Sequence, residues 1–158
     1  MVGSSTHIVQ PTNKIVVDGK NKHVQTMKIE TVTNCYPGRL VIVGTNDDDV
    51  LVSAAADAPA IGWIGYGDTA KKYRPATITT IQVVNDQVGI INGPGIQLLA
   101  CLAPGCTVTK GTPLMSASLG QLSVGVAGTN DIVASAEESI TTTGHITAYQ
   151  PIVVRSRI

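Results

Sequence analysis

The sequence predicts an all-β protein, a small barrel or sandwich of many short strands with an extended N-terminal arm. Val, Ile and Thr together account for 53 of the 158 residues. These β-branched side chains are stiff at χ1 and suit the pleated surface of a sheet. The 16 Gly and 8 Pro residues divide the chain into short apolar runs separated by turn signals. A succession of many short strands separated by turns is typical of a barrel or a sandwich.

The first 24 residues differ in composition from the rest, and we expect residues 1–24 to form an extended arm and residues 25–158 a β-rich body. The arm is mostly small and polar, with a turn signal at Asp18-Gly19. Up to residue 28 the chain carries four Lys against this one Asp, whereas the whole chain has no net charge. A basic arm therefore precedes a slightly acidic body. We expect eight arm residues to contact a partner: Ile8, Val9, Lys14, Ile15, Val16, Val17, Lys20 and Lys22. The apolar ones among them would add a strand to an exposed sheet edge of that partner.

Within the body, residues 77–84 and 96–102 are nearly continuous apolar runs, which predicts central strands buried on both faces. Residues 130–140 contain helix formers at poor helical spacing, so we expect a strand there rather than a helix. The chain has no Phe and a single Trp, and the core has to be filled mainly by aliphatic side chains. We expect that Trp63 anchors either the core or a subunit interface, since large aromatics dominate both.

Charge and hydropathy exclude several classes of protein. Lys plus Arg equals Asp plus Glu at 11 each, and only 14% of residues are charged, so a mainly electrostatic nucleic-acid binder is excluded. No segment approaches the roughly 20 apolar residues that span a bilayer, and the first ten residues lack the apolar core of a secretory signal. The three cysteines, Cys35, Cys101 and Cys106, are an odd number and do not form a disulfide framework. We therefore expect synthesis in a reducing cytosol, with a hairpin disulfide between the last two left open.

No set of residues has the spacing of an active site or a metal site, and we expect no enzyme activity and no cofactor. Nucleophilic catalysis needs a base near a Ser, Cys or Thr. His7, His23 and His145 are spread along the chain, and no serine lies in a Gly-x-Ser-x-Gly elbow. Residues 47–49 are three consecutive acids without the spacing of a calcium loop. They predict a solvated hairpin turn.

Four motifs follow one another through residues 35–157. They are Pro37-Gly38-Arg39-Leu40-Val41 with Ile61-Gly62-Trp63 after an acidic turn; Asp86-Gln87-Val88 with Gly93-Pro94-Gly95; Leu102-Ala103-Pro104-Gly105 with Val108-Thr109-Lys110-Gly111-Thr112-Pro113-Leu114; and Ile132-Val133-Ala134-Ser135-Ala136-Glu137-Glu138 with Val153-Val154-Arg155. Each is a β-turn or strand signature. Their order resembles that of the small head decoration proteins, or capsid cement proteins, of tailed bacterial and archaeal viruses.

This resemblance implies a non-catalytic virion structural protein that binds and stabilises the outside of an icosahedral capsid. The implied partners are the major capsid protein and further copies of the chain in a homotrimer, with no nucleic acid and no membrane. The implied location is the outer capsid surface, after synthesis in the host cytoplasm. The family has no catalytic residues to transfer to this sequence.

Two other classes of function stay open. Residues 108–114 are similar to the turns of lipoyl or biotinyl carriers, which are small non-viral β-barrel modules. Their modified lysine lies between characteristic neighbours, and none of the seven lysines here has them. A trimeric β-enzyme with active sites shared between subunits is the other alternative. The Arg-Ser-Gly and Tyr-Arg-Gly loop motifs of dUTPase, a trimeric enzyme of this size, are both absent. Tyr73-Arg74 comes nearest to the second motif but is followed by Pro75.

Overall fold

A computed structural model describes residues 15–20, 22–31, 33–66, 81, 87–141 and 150–158. In these ranges the chain forms strands joined by tight turns, with one short 3₁₀ turn, Ser118–Gly120. The strands are β1 Val16–Asp18, β2 His23–Ile29, β3 Leu40–Val43, β4 Asp49–Val52, β5 Gly62–Gly65, β6 Gln87–Asn92, β7 Gln97–Cys101, β8 Thr107–Val108, β9 Pro113–Ser116, β10 Leu122–Val124, β11 Ile132–Ala136, β12 Ile140–Thr141 and β13 Pro151–Ser156. The predicted all-β class is confirmed.

Five strands close into a barrel in the order β2-β4-β3-β5-β6. The longest pairing joins β2 to β6 antiparallel, from His23 opposite Asn92 to Lys28 opposite Gln87. The barrel closes through a short parallel contact of β2 with β4, in which Ile29 lies opposite Val50. Because β4 reaches only the end of β2, the other residues of β2 pair with β6 alone.

The other large element is a six-stranded antiparallel sheet in the order β1-β7-β13-β11-β9-β10. Strand β7 lies inside this sheet, paired on one side with β1 and on the other with β13. Four consecutive β7 residues, Leu98, Leu99, Ala100 and Cys101, are buried. The prediction of a central strand over residues 96–102, buried on both faces, is therefore confirmed. A two-stranded ribbon of β8 and β12 completes the described part.

The described residues form two hydrophobic cores, one inside the barrel and one between the barrel and the six-stranded sheet. Successive residues of one barrel strand serve different cores, because neighbouring side chains point to opposite faces. On β5, Ile64 lies in the barrel core and Trp63 in the sheet core. Trp63 is fully buried, and its Nε1 donates a hydrogen bond to Ser156 Oγ on β13 at 3.1 Å. Of the two positions expected for Trp63, the structure shows the core.

The arm differs from expectation in its last third. Ile15 is only 2% exposed and belongs to the sheet core, and its carbonyl accepts a hydrogen bond from the Leu99 amide at 2.9 Å. Val16 and Val17 pack against the same core. This apolar stretch adds a strand to an edge of its own chain, which corrects the expectation that it stays free to pair with a partner. Strand β2 also begins at His23, before residue 25.

Several local predictions have clear outcomes. Residues 132–136 form strand β11, which confirms a strand rather than a helix in the segment 130–140. Residues 47–48 form the turn of the β3–β4 hairpin, as predicted, although Asp49 is buried at the start of β4. Cys101 and Cys106 are not joined by a disulfide, so the hairpin disulfide left open above is not formed. Residues 77–84 lie outside the described residues except for Ile81. None of the described residues forms a helix long and apolar enough to cross a membrane.

Candidate protein-interaction surface

The ionisable groups of the described residues do not converge on one site. No three His, Cys, Asp or Glu side chains in the described ranges lie close enough together to hold a metal ion. Burial raises the pKa of the Cys35 thiol to about 11, and burial also raises the pKa of Cys106, opposed by a hydrogen bond from the Val124 backbone. Since the thiolate is the nucleophilic form, both shifts make these thiols less reactive.

Exposed apolar side chains concentrate in one segment. Among the described residues, five large aliphatic side chains are exposed: Val24 by 37%, Val43 by 60%, Leu119 by 46%, Val124 by 43% and Val126 by 61%. Three of the five lie within residues 119–126, which comprise the 3₁₀ turn, strand β10 and the residues after it. Exposed apolar groups that cluster mark protein-interaction surfaces more often than scattered ones. This segment is the leading candidate surface in the described part of the chain.

The 3₁₀ turn is held against the end of the barrel by backbone and side-chain contacts. Leu119 has a φ of 60°, a left-handed conformation that costs a non-glycine residue free energy. Gly120 follows with a φ of 67°, and a Cβ there would lie 2.8 Å from the Leu40 carbonyl oxygen. The Gly120 amide donates to the Ser53 carbonyl at 2.6 Å. The barrel end thus dictates the shape of this turn and leaves the Leu119 side chain directed outward.

Arg39 supports the turn from beneath. Its Nη1 donates to the Leu119 carbonyl at 2.5 Å, and its guanidinium lies 5.0 Å from the centre of the Tyr36 ring. Arg39 is only 5% exposed, and its Nε has no hydrogen-bond partner. No carboxylate of the described residues forms an ion pair with it: Lys110 and Arg155, both with Glu137, form the ion pairs of these ranges. Burying a charge without a counter-charge is costly, which makes Arg39 the most unusual polar group described here.

The other end of the segment is also fixed. The Asp57 carboxylate accepts hydrogen bonds from the Asp131 amide at 2.8 Å and the Asn130 side-chain amide at 3.2 Å. The Asn130 side chain in turn accepts from the Val126 amide at 2.9 Å. These bonds tie the loop after β10 to the loop before β5. Val124 and Val126 are therefore presented by a rigid edge of the sheet, which lowers the entropic cost of docking.

The residues singled out from the sequence do not converge on this surface. Trp63 lies in the core, Ile15 is packed in the body, and Lys20 and Lys22 are exposed. Ile8, Val9 and Lys14 lie outside the described residues. The sequence analysis did not single out Leu119. The feature that could have indicated it is a single apolar residue directly before a glycine in the turn Ser118–Gly120. Arg39 was part of a motif, but the sequence could not show that this side chain is buried.

Comparison with known proteins finds a likeness among solved structures only. No protein-family model matches the chain. No curated protein matches its sequence. Among solved structures, the N base of the head fiber of bacteriophage phi29 is similar at 14% sequence identity, with a TM-score of 0.49, over 87% of this chain and 98% of that chain. A likeness at this level assigns neither a family nor a function.

Proposed function

We propose that this chain is a non-catalytic structural protein of a tailed-virus virion, which binds the outside of the capsid through the major capsid protein. The observation that carries the proposal is the apolar surface of residues 119–126, presented on a β-body with two hydrophobic cores. A decoration protein needs a stiff body with an exposed docking edge. It does not need an active site, because its contribution is binding energy.

The motifs behind the resemblance to decoration proteins coincide with turns of this body. The motif glycines Gly38, Gly93, Gly95, Gly105 and Gly111 all have positive φ, between 76° and 144°. Such angles are readily adopted only by glycine. The order of motifs therefore reports the order of tight turns in the fold. This supports a shared turn framework with the decoration proteins.

The charge balance is consistent with dense packing on a shell. With no net charge and 14% charged residues, neighbouring copies repel one another little. Many weak contacts made at once give high overall affinity, and a homotrimer on a capsid symmetry axis would provide them. We include the homotrimer in the proposal. We propose that the arm adds capsid contacts through Ile8, Val9, Lys14, Lys20 and Lys22. Residues 15–17 are left out because they pack against the sheet core of the same chain.

The test mixes the purified chain with capsids of candidate tailed viruses that lack an outer decoration. We expect co-sedimentation with one capsid type, and added density on its outer surface by cryo-electron microscopy. The double variant Val124→Ser with Val126→Ser should bind at least tenfold more weakly, while Val24→Ser on the barrel should bind as the parent does. Absence of added density on every capsid tested, or equal binding by the double variant, would contradict the proposal.

The arm requires a separate truncation. Deleting residues 2–14 leaves the buried Ile15 in place, so the body should keep its unfolding midpoint. If the arm contacts the shell, capsid binding should fall at least tenfold in the co-sedimentation assay. A truncated chain that decorates the shell as well as the full chain would remove the arm from the proposed contacts.

A further inference from the structure

The barrel end around Arg39 has the composition of a binding hot spot. Arg39 and Tyr36 stack on each other, and Leu119 projects beside them with nearly half of its side chain exposed. Arg and Tyr are among the residues that carry most of the energy in protein interfaces. The conformation of Leu119 is costly in the isolated chain. A partner contact gives a reason for that cost.

The unpaired guanidinium defines the chemistry of the partner. Arg39 is nine-tenths buried and its Nε lacks a hydrogen-bond acceptor. A carboxylate is the natural counter-charge, because its two oxygens match the guanidinium fork. The partner therefore offers an acidic side chain next to an apolar one.

The chain itself displays such a group on the opposite end of the same hairpin. Most carboxylates of the described residues accept a hydrogen bond: Glu30 from the Thr45 amide, Asp49 from Asn46, Asp57 from Asp131, Glu137 from Arg155 and Glu138 from Val153.

Asp47 and Asp48 are the two neighbouring carboxylates in the described part that have no such bond, and both are exposed at the tip of the β3–β4 turn. Val43, 60% exposed, ends the strand leading to them.

The two surfaces of one molecule cannot meet each other. Arg39 precedes the first residue of β3, and the acidic turn follows its last residue. A strand of four residues separates them by roughly 13 Å, at about 3.3 Å per residue. The acidic turn can therefore reach only the Arg39 of another molecule.

We propose that the barrel end formed by Tyr36, Arg39 and Leu119 binds the acidic turn of a second copy, with Asp47 or Asp48 facing Arg39 and Val43 packing near Leu119. The contact is head to tail: each molecule uses one surface as receiver and the other as donor. Repetition of such a contact closes a ring if the rotation permits and otherwise extends a filament. The contact is a property of the chain alone and does not depend on the proposed virion role.

The test measures assembly without any capsid, by sedimentation velocity and mass photometry across micromolar concentrations. The donor variant is Asp47→Lys with Asp48→Lys, and the receiver variant is Leu119→Gly, a substitution compatible with the left-handed backbone. Each should raise the dissociation constant of self-association at least tenfold. Asp18→Lys with Asp131→Lys is the matched control, because it changes the net charge by the same amount and both carboxylates are exposed; it should assemble as the parent does.

Mixing the two variants decides the geometry. The receiver variant keeps an intact acidic turn, and the donor variant keeps an intact barrel end. An equimolar mixture should therefore form 1:1 pairs that neither variant forms alone. A parent chain that is monomeric at every concentration, variants that assemble as the parent does, or a mixture without 1:1 pairs would each overturn the proposal.

Discussion

The barrel and the six-stranded sheet bury their apolar groups on different scales. Among the described residues, the barrel core has seven that are buried, none of them aromatic. The core between barrel and sheet has nineteen, including Trp63 and Tyr66. Several of those nineteen come from barrel strands, among them Leu40 on β3 and Ile91 on β6. The barrel strands thus bury side chains on both faces: those on the inner face form the small barrel core, and those on the outer face join the larger core.

The barrel is therefore stabilised largely by the sheet packed against its outer wall. A core of six aliphatic residues and Cys35 buries little area, and hydrophobic stabilisation scales with the apolar area removed from water. The larger core covers the outer wall of the barrel with the sheet, and Trp63 joins the two through Ser156. We therefore expect one cooperative unfolding transition, whose stability depends most on the residues shared by both parts.

The largest expected effect is that of Trp63→Ala. This substitution removes the largest fully buried side chain and its hydrogen bond to β13, at a cost of about 3–5 kcal/mol in the free energy of unfolding. Urea denaturation followed by circular dichroism measures it. Trp63→Phe should recover most of the loss, because it restores the ring but not the indole hydrogen bond. A cost below about 1 kcal/mol for Trp63→Ala would show that the two parts are stabilised independently.

The second prediction compares the same substitution, Ile to Ala, in the two cores. Ile64→Ala opens a cavity inside the closed barrel, whose wall cannot readily collapse, and should cost about 4 kcal/mol. Ile15 directly precedes the three-residue edge strand β1, which can shift inward, so Ile15→Ala should cost about 2 kcal/mol. The same urea titration measures both. If Ile15→Ala cost nothing, its packing in the body would be refuted.

The third prediction uses the thiol inside the barrel. Burial raises the pKa of Cys35 from its ordinary 9.0 to about 11. The folded state therefore holds the proton more tightly than the unfolded state. The resulting stability is complete below pH 9 and is lost as the pH rises towards 11.

At about 1.4 kcal/mol per pH unit, the loss at pH 11 amounts to roughly 2–3 kcal/mol. Cys35→Ala removes this dependence, so the stability advantage of the parent over the variant should shrink between pH 9 and pH 11. Comparing the two chains cancels the titration of the Lys and Tyr residues they share. A difference that stays constant with pH would contradict this prediction.

The smallest expected effect has the opposite sign. Leu119→Gly relieves a left-handed backbone at the junction of barrel and sheet, and it removes a side chain that is 46% exposed. We expect a gain of about 1 kcal/mol in the free energy of unfolding of the isolated chain. Thermal unfolding at low protein concentration measures it. A loss of stability would mean that the Leu119 side chain is needed for packing within the chain, and the case for an interaction role would weaken.

The candidate surface could be inferred from the sequence only in part. The turn Ser118–Gly120 and the exposed valines after it are visible as residues, but their exposure depends on the partners of β10. Arg39 is visible in a turn motif, yet a charged side chain after a Pro-Gly turn predicts exposure. Its burial results from contacts with Leu119, 80 positions away. Contacts over such separations have no local signal.

The sequence by itself determined the all-β class, the positions of the tight turns and the buried strand at residues 96–102. These are local properties: β-branched side chains limit χ1, glycines permit positive φ, and continuous apolar runs require burial on both faces. The tertiary structure alone decided that Ile15 joins the edge of its own sheet and that Leu40 and Val41 enter different cores. It also decided that Leu119 stays outside. Strand register and partner choice determine these outcomes, because a side chain on a strand has two faces available and only the neighbouring strands determine which one is buried.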